Sequence, residues 1–165
     1  QIGQSRELTQ DIEFGYEQIA EVAVRALSSG INDPYTARHC LWILADLFLY
    51  AESYQLEIYD LYDGAKWIGW YRGFSYQGLV KASMDRIRQA AKEDFTVMLA
   101  MYDMIIRLMS LLKKRQLIRP LMEQAKSISE MQSHISLTYR DKVAIDERHQ
   151  SLDDIAKRFE FDWWF

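Results

Sequence analysis

Two stretches of this sequence are apolar on almost every side of a helix, and burying them constrains the whole fold. The first is CLWILADLFLYA at residues 40–51, and the second is FTVMLAMYDMIIRLMSLLKKR at residues 95–115. A helix of this kind either lies at the centre of its domain or is covered by a partner. The first stretch contains Asp46 and is well short of the roughly 20 apolar residues that cross a membrane. We therefore expect these helices inside a folded domain.

Local start signals predict further helices around these two. The strongest is Asp33-Pro34, an N-cap residue followed by a proline in the first helical position. Pro120 breaks or opens a later helix because it lacks the backbone donor. We expect helices at residues 9–30, at 34–53, from 75, from 94, from 120 and at 138–159. Along the first helix, residues at helical spacing predict one buried stripe: Ile12, Ile19, Val22, Ala23 and Ala26.

A different pattern, LEIYDLYDGAKWIGWYRG, interrupts the helices at residues 56–73. Asp63-Gly64 between two β-prone runs predicts a hairpin over about residues 56–72 with these two residues as its loop. In that register Leu61 is opposite Lys66. A lone hairpin is only marginally stable, so we expect it to lie on the helices.

Together these elements predict a mainly α fold, a helical bundle of five or six helices with one inserted β-hairpin. The 165 residues suit a single soluble helical domain over residues 1–165. The net charge of −4, with one short basic run at residues 113–115, argues against nucleic-acid binding. The single cysteine, Cys40, cannot form an internal disulfide and fits a reducing compartment.

The sequence contains no motif that supplies catalysis or holds a cofactor. His39, His134 and His149 are scattered without repeated metal-ligand spacing, so we expect no metal site. There is no nucleophile elbow, dinucleotide fingerprint or phosphate loop. Cys40 has apolar neighbours and is expected to be a buried, inert thiol. We therefore expect no cofactor, and a binding module more than an enzyme.

Two carboxylates lie within the apolar helices. Asp46 and Asp103 are expected to pair with cations, because a buried carboxylate needs a partner. The spacing of Asp103 and Arg107 predicts an i,i+4 pair, and Arg86 and Arg88 are further candidates. We interpret these carboxylates as structural.

The polar loop SSGINDP at residues 28–34 joins the first two helices and permits two interpretations. As a structural corner, Gly30 ends one helix in the left-handed conformation, Asp33 caps the next, and Arg25 pairs with Asp33 or Asp11. As a binding site, polar side chains around the loop line a pocket for a small ligand or partner, since rigid loops often carry function. The candidate residues for either interpretation are Asp11, Arg25, Asn32, Asp33, Thr36 and Arg38.

Residues 10–40, QDIEFGYEQIAEVAVRALSSGINDPYTARHC, resemble the signature of an uncharacterised family of bacterial predicted membrane proteins, domain of unknown function 2254. Ser29 stands where that family usually has proline. The block FSYQGLVKASMDRIRQ is similar to the family's next block, with Met84 where phenylalanine is usual. The matching residues are Gln10, Asp11, Phe14, Gly15, Arg25, Ala26, Leu27, Ser28, Gly30, Ile31, Asn32, Asp33, Pro34, Thr36, Ala37 and Cys40.

The resemblance implies an architecture without an activity. Such proteins have several N-terminal membrane helices followed by a soluble helical domain, and this chain resembles that C-terminal domain, on the cytoplasmic side of the bacterial inner membrane. Its partner would then include its own N-terminal membrane segment. The family has no agreed activity, so the resemblance implies no catalytic residue.

We expect an interaction or regulatory domain that forms homo-oligomers through the apolar faces of the second or the fourth helix. The aromatic residues of the hairpin and the tail are candidates for that interface, or for contact with the lipid interface, where Trp and Tyr are favoured. The alternative is a small-ligand sensor or enzyme domain with its pocket at the Gly-Ile-Asn-Asp-Pro corner. The candidate interface residues are Trp67, Trp70, Tyr71, Trp163 and Trp164.

Overall fold

The computed structural model describes residues 12–53, 58–132 and 135–159, and within these ranges it contains six helices and one hairpin. No helix in these ranges is long and apolar enough to cross a membrane. The predicted mainly α fold with an inserted hairpin is confirmed. In chain order the elements are α1 (Ile12–Ala26), α2 (Pro34–Glu52), β1 (Ile58–Asp63), β2 (Lys66–Arg72), α3 (Tyr76–Ala90), α4 (Phe95–Leu111), α5 (Arg115–Gln132) and α6 (Tyr139–Arg158).

Five of the helices close a ring through their contacts. The helix α1 packs on α2 and α3, α3 packs on α5, and α4 completes the ring by packing on both α2 and α5. The last helix, α6, packs on α4. With neighbours on three sides, α4 buries most of its circumference, which explains why its sequence is apolar nearly all round. The predicted face of α2 is fully buried: Leu41, Leu44, Ala45 and Phe48.

Side-chain caps begin the helices where the sequence predicts. Ser75 accepts a hydrogen bond from the Gly78 N–H at 2.9 Å, and Asp94 accepts one from the Val97 N–H at 3.0 Å. Thr138 and Asp141 bond to each other's backbone N–H groups, so α6 starts with a complete capping box. Each cap satisfies donors that the first helical turn leaves unpaired.

The predicted stripe of α1 is partly wrong. Ala23 and Ala26 are buried, but Ile12 and Val22 are exposed and Tyr16 and Ala20 take the remaining core positions. The ring of Tyr16 meets Phe48 of α2 edge to face, with centroids 5.0 Å apart. Three of the four buried residues of α1 are alanines, and which of its two adjacent faces is buried depends on where α2 and α3 lie.

The predicted start of the fifth helix is also wrong. The helix α5 begins at Arg115 and contains Pro120, instead of beginning there. Proline lacks an N–H, so the carbonyl of Gln116 has no helical donor four residues later. Leu117, Ile118 and Leu121 are all buried against the bundle, and this packing maintains the helix through the proline.

The hairpin is confirmed over Ile58–Arg72, but its loop lies one residue later than predicted, which moves the partner of Lys66 by two residues, from Leu61 to Asp63. Asp63 pairs with Lys66, so the loop is Gly64-Ala65, and Leu61 is opposite Gly69. Gly64 has a φ of 60°, which matches the glycine at the first loop position of a type II′ turn. The ladder shifts between Leu61 and Tyr62, where one strand carries an extra residue.

Candidate functional site

The corner between α1 and α2 is a compact turn held by backbone hydrogen bonds. The N–H of Asn32 bonds to the Ser28 carbonyl at 2.8 Å, and the N–H of Asp33 bonds to the Ala26 carbonyl at 2.8 Å. The left-handed residue is Asn32, with a φ of 49°, and not Gly30. The prediction that Gly30 takes the left-handed conformation is therefore wrong. Asn32 can take it instead, because asparagine is among the few residues other than glycine that accept a positive φ.

Asp33 is the N-cap of α2, as the sequence predicts. One carboxylate oxygen accepts from the Thr36 N–H at 3.1 Å, and the other accepts from the Thr36 hydroxyl at 2.5 Å. These bonds hold the pKa of Asp33 below its usual range, and the bond from the Thr36 hydroxyl contributes the most. Both carboxylate oxygens therefore have donors within the same helix turn.

The structure separates the other predicted corner residues from that carboxylate. The Nε of Arg25 lies 3.5 Å from Glu21, one turn earlier on α1, and Glu21 also pairs with Arg86 of α3 at 2.6 Å. The predicted pairing of Arg25 with Asp33 is thus replaced by a pairing with Glu21. Arg38 is exposed on α2, and Asp11 lies outside the described residues.

The two carboxylates of the apolar helices pair across helices. Asp46 of α2 pairs with Arg107 of α4 at 3.3 Å. Asp103 pairs with Arg148 of α6, whose Nε and Nη2 lie 2.8 and 2.9 Å from its two oxygens. The predicted i,i+4 pair of Asp103 and Arg107 is wrong, because each side chain has a closer partner on a neighbouring helix.

A polar cluster lies between α4, α5 and α6. The hydroxyl of Tyr102 donates to the side-chain carbonyl of Gln132 at 3.4 Å and lies 3.1 Å from Nε2 of His149. Burial raises the pKa of Tyr102 far above its usual value and lowers the pKa of His149. At neutral pH both side chains are therefore uncharged, and the cluster links three helices without burying an ion.

The metal and thiol candidates have ordinary surroundings. Among the described residues no group of three or more metal-ligating side chains comes together. His39 is exposed, and His134 lies outside the described ranges. Cys40 is buried, which raises the pKa of its thiol. A thiol with a raised pKa is a weak nucleophile.

An exposed apolar patch covers the outer face of α2 and the adjacent end of α4. Trp42, Ile43 and Tyr50 are 37, 39 and 62% exposed, and Leu111 of α4 is 52% exposed. The guanidinium of Arg107 lies 5.7 Å from the centre of the Trp42 ring and so joins the two helices across the patch. We call these residues, together with Asp46, the α2–α4 patch.

The hairpin carries a second set of exposed apolar side chains. Tyr62, Trp67 and Ile68 are all exposed, and the indole N–H of Trp67 donates to Asp60 at 3.0 Å. Among the described elements the strands contact each other extensively and the helices only slightly, contrary to the expectation that the hairpin lies on the helices. Of the other candidate interface residues, Trp70 pairs through its backbone with Asp60 and Tyr71 with Tyr59. Trp163 and Trp164 are outside the described residues.

Sequence reasoning missed the Tyr102 cluster, and it proposed an apolar surface on the second or fourth helix without identifying the residues of the α2–α4 patch. The periodicity of α4 indicates that Tyr102 is buried, but nothing local indicates that His149 and Gln132 reach it from 47 and 30 residues away. The patch had a weak signal, since Trp42, Ile43 and Tyr50 remain outside the predicted buried face of α2.

The chain is similar to a family of predicted membrane proteins and to mycobacterial proteins. The family model of predicted membrane proteins with domain of unknown function 2254 matches residues 1–107, which include the corner, the hairpin and α4 up to Arg107. Uncharacterized proteins from Mycobacterium bovis and from two strains of Mycobacterium tuberculosis are each 58% identical to this chain over 36 residues. That stretch is 22% of this chain and only 7% of the length of each relative. No solved structure matches the chain.

Proposed function

We propose that this chain, which belongs to the family of predicted membrane proteins with domain of unknown function 2254, is an interaction domain that binds a second copy of itself through the α2–α4 patch. The observation that supports this proposal is the exposure of Trp42, Ile43, Tyr50 and Leu111 on one face of two adjacent helices. Within a longer membrane protein, such pairing would join two copies outside the membrane and so regulate them together.

The composition of the patch suits a protein–protein interface. Trp, Tyr and Arg are the residue types most often responsible for binding energy at such interfaces, because each combines a large contact area with a polar group. Here the guanidinium of Arg107 already lies over the Trp42 ring at 5.7 Å, a contact that partly orders both side chains before binding. Apolar side chains exposed together on one surface often mark an interaction site.

The charges of the patch favour a second copy over an unrelated partner. Asp46 and Arg107 place one acid and one base 3.3 Å apart within the same patch. In a two-fold symmetric pair the same surface faces itself, so an acid of one copy can meet the base of the other. Asp46 and Arg107 are both substantially exposed. Breaking their ion pair, so that each binds the other residue of the second copy, therefore costs little free energy.

The test compares two matched aspartate substitutions by analytical ultracentrifugation of the chain over a wide concentration range. Ile43→Asp places a charge in the patch, whereas Val22→Asp places one on an apolar residue of α1 outside it that is also exposed, at 50% against 39% for Ile43. We expect the unchanged chain and Val22→Asp to form dimers, and Ile43→Asp to remain a monomer. A monomer at every concentration for the unchanged chain, or equal dimerisation of both variants, contradicts the proposal.

A second candidate role belongs to the hairpin, which we propose as a contact to the membrane surface. The exposed side chains of Tyr62, Trp67 and Ile68 support it, together with the exposed Lys66. Trp and Tyr are favoured at the lipid interface, and a lysine is attracted to the anionic lipids of a cytoplasmic leaflet. The description of the family as predicted membrane proteins also supports a contact between the hairpin and a bilayer.

Cosedimentation with phosphatidylglycerol-containing vesicles tests this second role. We expect Trp67→Ser to reduce vesicle binding strongly, and the control change Tyr139→Ser, on a highly exposed aromatic residue of α6, to leave it unchanged. If Trp67→Ser binds vesicles as well as the unchanged chain does, the hairpin is not the membrane contact.

A further inference from the structure

A groove lies between α3 and α5, away from the α2–α4 patch. Its larger part is a cavity of about 520 Å³, and a smaller part of about 170 Å³ shares Gln77, Pro120 and Glu123 with it and continues to Ser127. We call the two together the α3–α5 groove. The larger part is lined by Gln77, Arg115, Gln116, Arg119, Pro120 and Glu123.

The end of α6 is fastened to the mouth of this groove. The Nη2 of Arg115 donates to the backbone carbonyl of Phe159 at 2.7 Å. Arg115 is the first residue of α5 and lines the groove, and Phe159 is the C-cap of α6. Whatever follows Phe159 in the chain therefore starts beside the groove.

The segment that follows is long enough to occupy it. From Arg115 to Ser127 the groove follows twelve residues of α5, which at the rise of an α-helix is about 18 Å. The next six residues of the chain, EFDWWF at 160–165, reach about 20 Å when extended. The length of the groove and the reach of the segment are thus similar.

The chemistry of the two is complementary. Arg115 and Arg119 lie one turn apart at the near end of the groove, and the segment carries Glu160 and Asp162 among four aromatic residues. Guanidinium groups bind carboxylates and also stack on aromatic rings. Arg119 and Glu123 form an ion pair at 3.2 Å in which both side chains are exposed. Breaking such a pair costs little free energy, so Arg119 can bind another carboxylate instead.

We propose that the α3–α5 groove is the docking site for residues 160–165 of the same chain. In this arrangement Arg115 and Arg119 bind the carboxylates of the segment, and its tryptophans cover Pro120 and the alkyl parts of the groove. Docking removes Trp163 and Trp164 from the surface, so the aromatic segment is unavailable to lipid or to another copy while it occupies the groove.

The test is fluorine NMR of the full chain labelled with 5-fluorotryptophan, with the resonances assigned by Trp163→Phe and Trp164→Phe. Arg119→Glu reverses a charge in the groove, whereas Lys126→Glu makes the same change on an exposed residue of α5 outside it. We expect Arg119→Glu to move both resonances towards those of the free peptide EFDWWF, and Lys126→Glu to leave them in place. The Trp42 resonance reports that the bundle remains folded.

A neutral variant covers the possibility that Arg119→Glu disturbs the helix. Gln77→Tyr fills the groove from α3 without a charge and must move the same two resonances. The proposal is overturned if both resonances already match the free peptide in the unchanged chain, or if neither groove variant moves them. It is equally overturned if the resonances leave the free-peptide position only at high protein concentration, which indicates docking on a second copy, or only with vesicles present, which indicates lipid.

Discussion

The hydroxyl of Tyr102 lies 3.1 Å from Nε2 of His149, and the two rings meet edge to face with centroids 5.4 Å apart. Tyr102 is fully buried on the central helix α4, whereas His149 is half-buried on α6. Together with the ion pair of Arg148 and Asp103, this contact fastens the last helix to the ring. The stability of the α6 attachment is therefore sensitive to the ionisation of one imidazole.

We predict that His149 makes the domain less stable in mild acid. Burial holds the pKa of His149 below its ordinary value of 6.5, and the nearby Asp146 and Asp153 only partly oppose this effect. The unfolded chain binds a proton at about pH 6.5 that the folded chain does not bind, so the free energy of unfolding falls as the pH drops below that value. Above it, His149 contributes no pH dependence.

Urea unfolding between pH 5 and pH 8 measures this effect. His149→Gln is expected to reduce the loss of unfolding free energy between pH 6.5 and pH 5, with a slope for one proton of at most about 1.4 kcal/mol per pH unit. The matched control His39→Gln, on an exposed histidine, is expected to leave the pH dependence unchanged. The same pH dependence in His149→Gln and the unchanged chain would refute the prediction.

Removing the hydroxyl of Tyr102 is expected to destabilise the fold more than its size suggests. Tyr102→Phe leaves the buried carbonyl of Gln132 and the ring nitrogen of His149 without their shared partner. An unsatisfied buried polar group costs about 1–3 kcal/mol, and we expect a loss of unfolding free energy in that range. Tyr139→Phe, on a highly exposed tyrosine at the start of α6, serves as the control. Equal stabilities of the two variants would show that the cluster contributes nothing.

We predict that a substitution at Gly30 leaves the stability of the domain nearly unchanged, whereas a β-branched residue at Asn32 lowers it. A Cβ at Gly30 meets no atom within 4 Å, and its φ is not positive, so Gly30→Ala is neutral or slightly stabilising. Asn32 has a φ of 49°, where a β-branched residue is strained by about 1–3 kcal/mol. Asn32→Val is therefore expected to lower the melting temperature, whereas Asn32→Gly is not. The opposite ranking of Gly30→Ala and Asn32→Val contradicts this geometry.

Two arginines that pair with carboxylates are expected to differ in importance. Arg148 donates one hydrogen bond from Nη2 to Asp103, and its Nε lies 2.8 Å from the second carboxylate oxygen in a largely buried ion pair, so Arg148→Met is expected to cost about 1–2 kcal/mol of unfolding free energy. The side chain of Arg25 is 73% exposed beside Glu21, which keeps Arg86 as a second partner, and Arg25→Met is expected to change stability by less than about 0.5 kcal/mol. Guanidinium unfolding of both variants decides the point. A loss as large for Arg25→Met as for Arg148→Met would contradict the difference in burial.

The starts of the helices are predictable from the sequence, because a cap is a local interaction. Asp33, Ser75, Asp94 and Thr138 each accept from an N–H three residues later, and that spacing can be read without knowing the fold. The same holds for the buried face of α2 and for the existence of the hairpin, since periodicity and turn residues are local properties. Pro120 did not mark a helix start, because buried neighbours of α5 offset the hydrogen bond that it lacks.

Pairings between distant residues were decided only by the tertiary structure. Asp103 has Arg107 four residues away, yet it binds Arg148 from α6, and Arg25 binds Glu21 instead of the aspartate at the corner. Which of two adjacent faces of α1 is buried likewise depends on how closely α2 and α3 approach it. A sequence specifies which groups need a partner. Which partner each group obtains depends on distances that exist only after the six helices have packed.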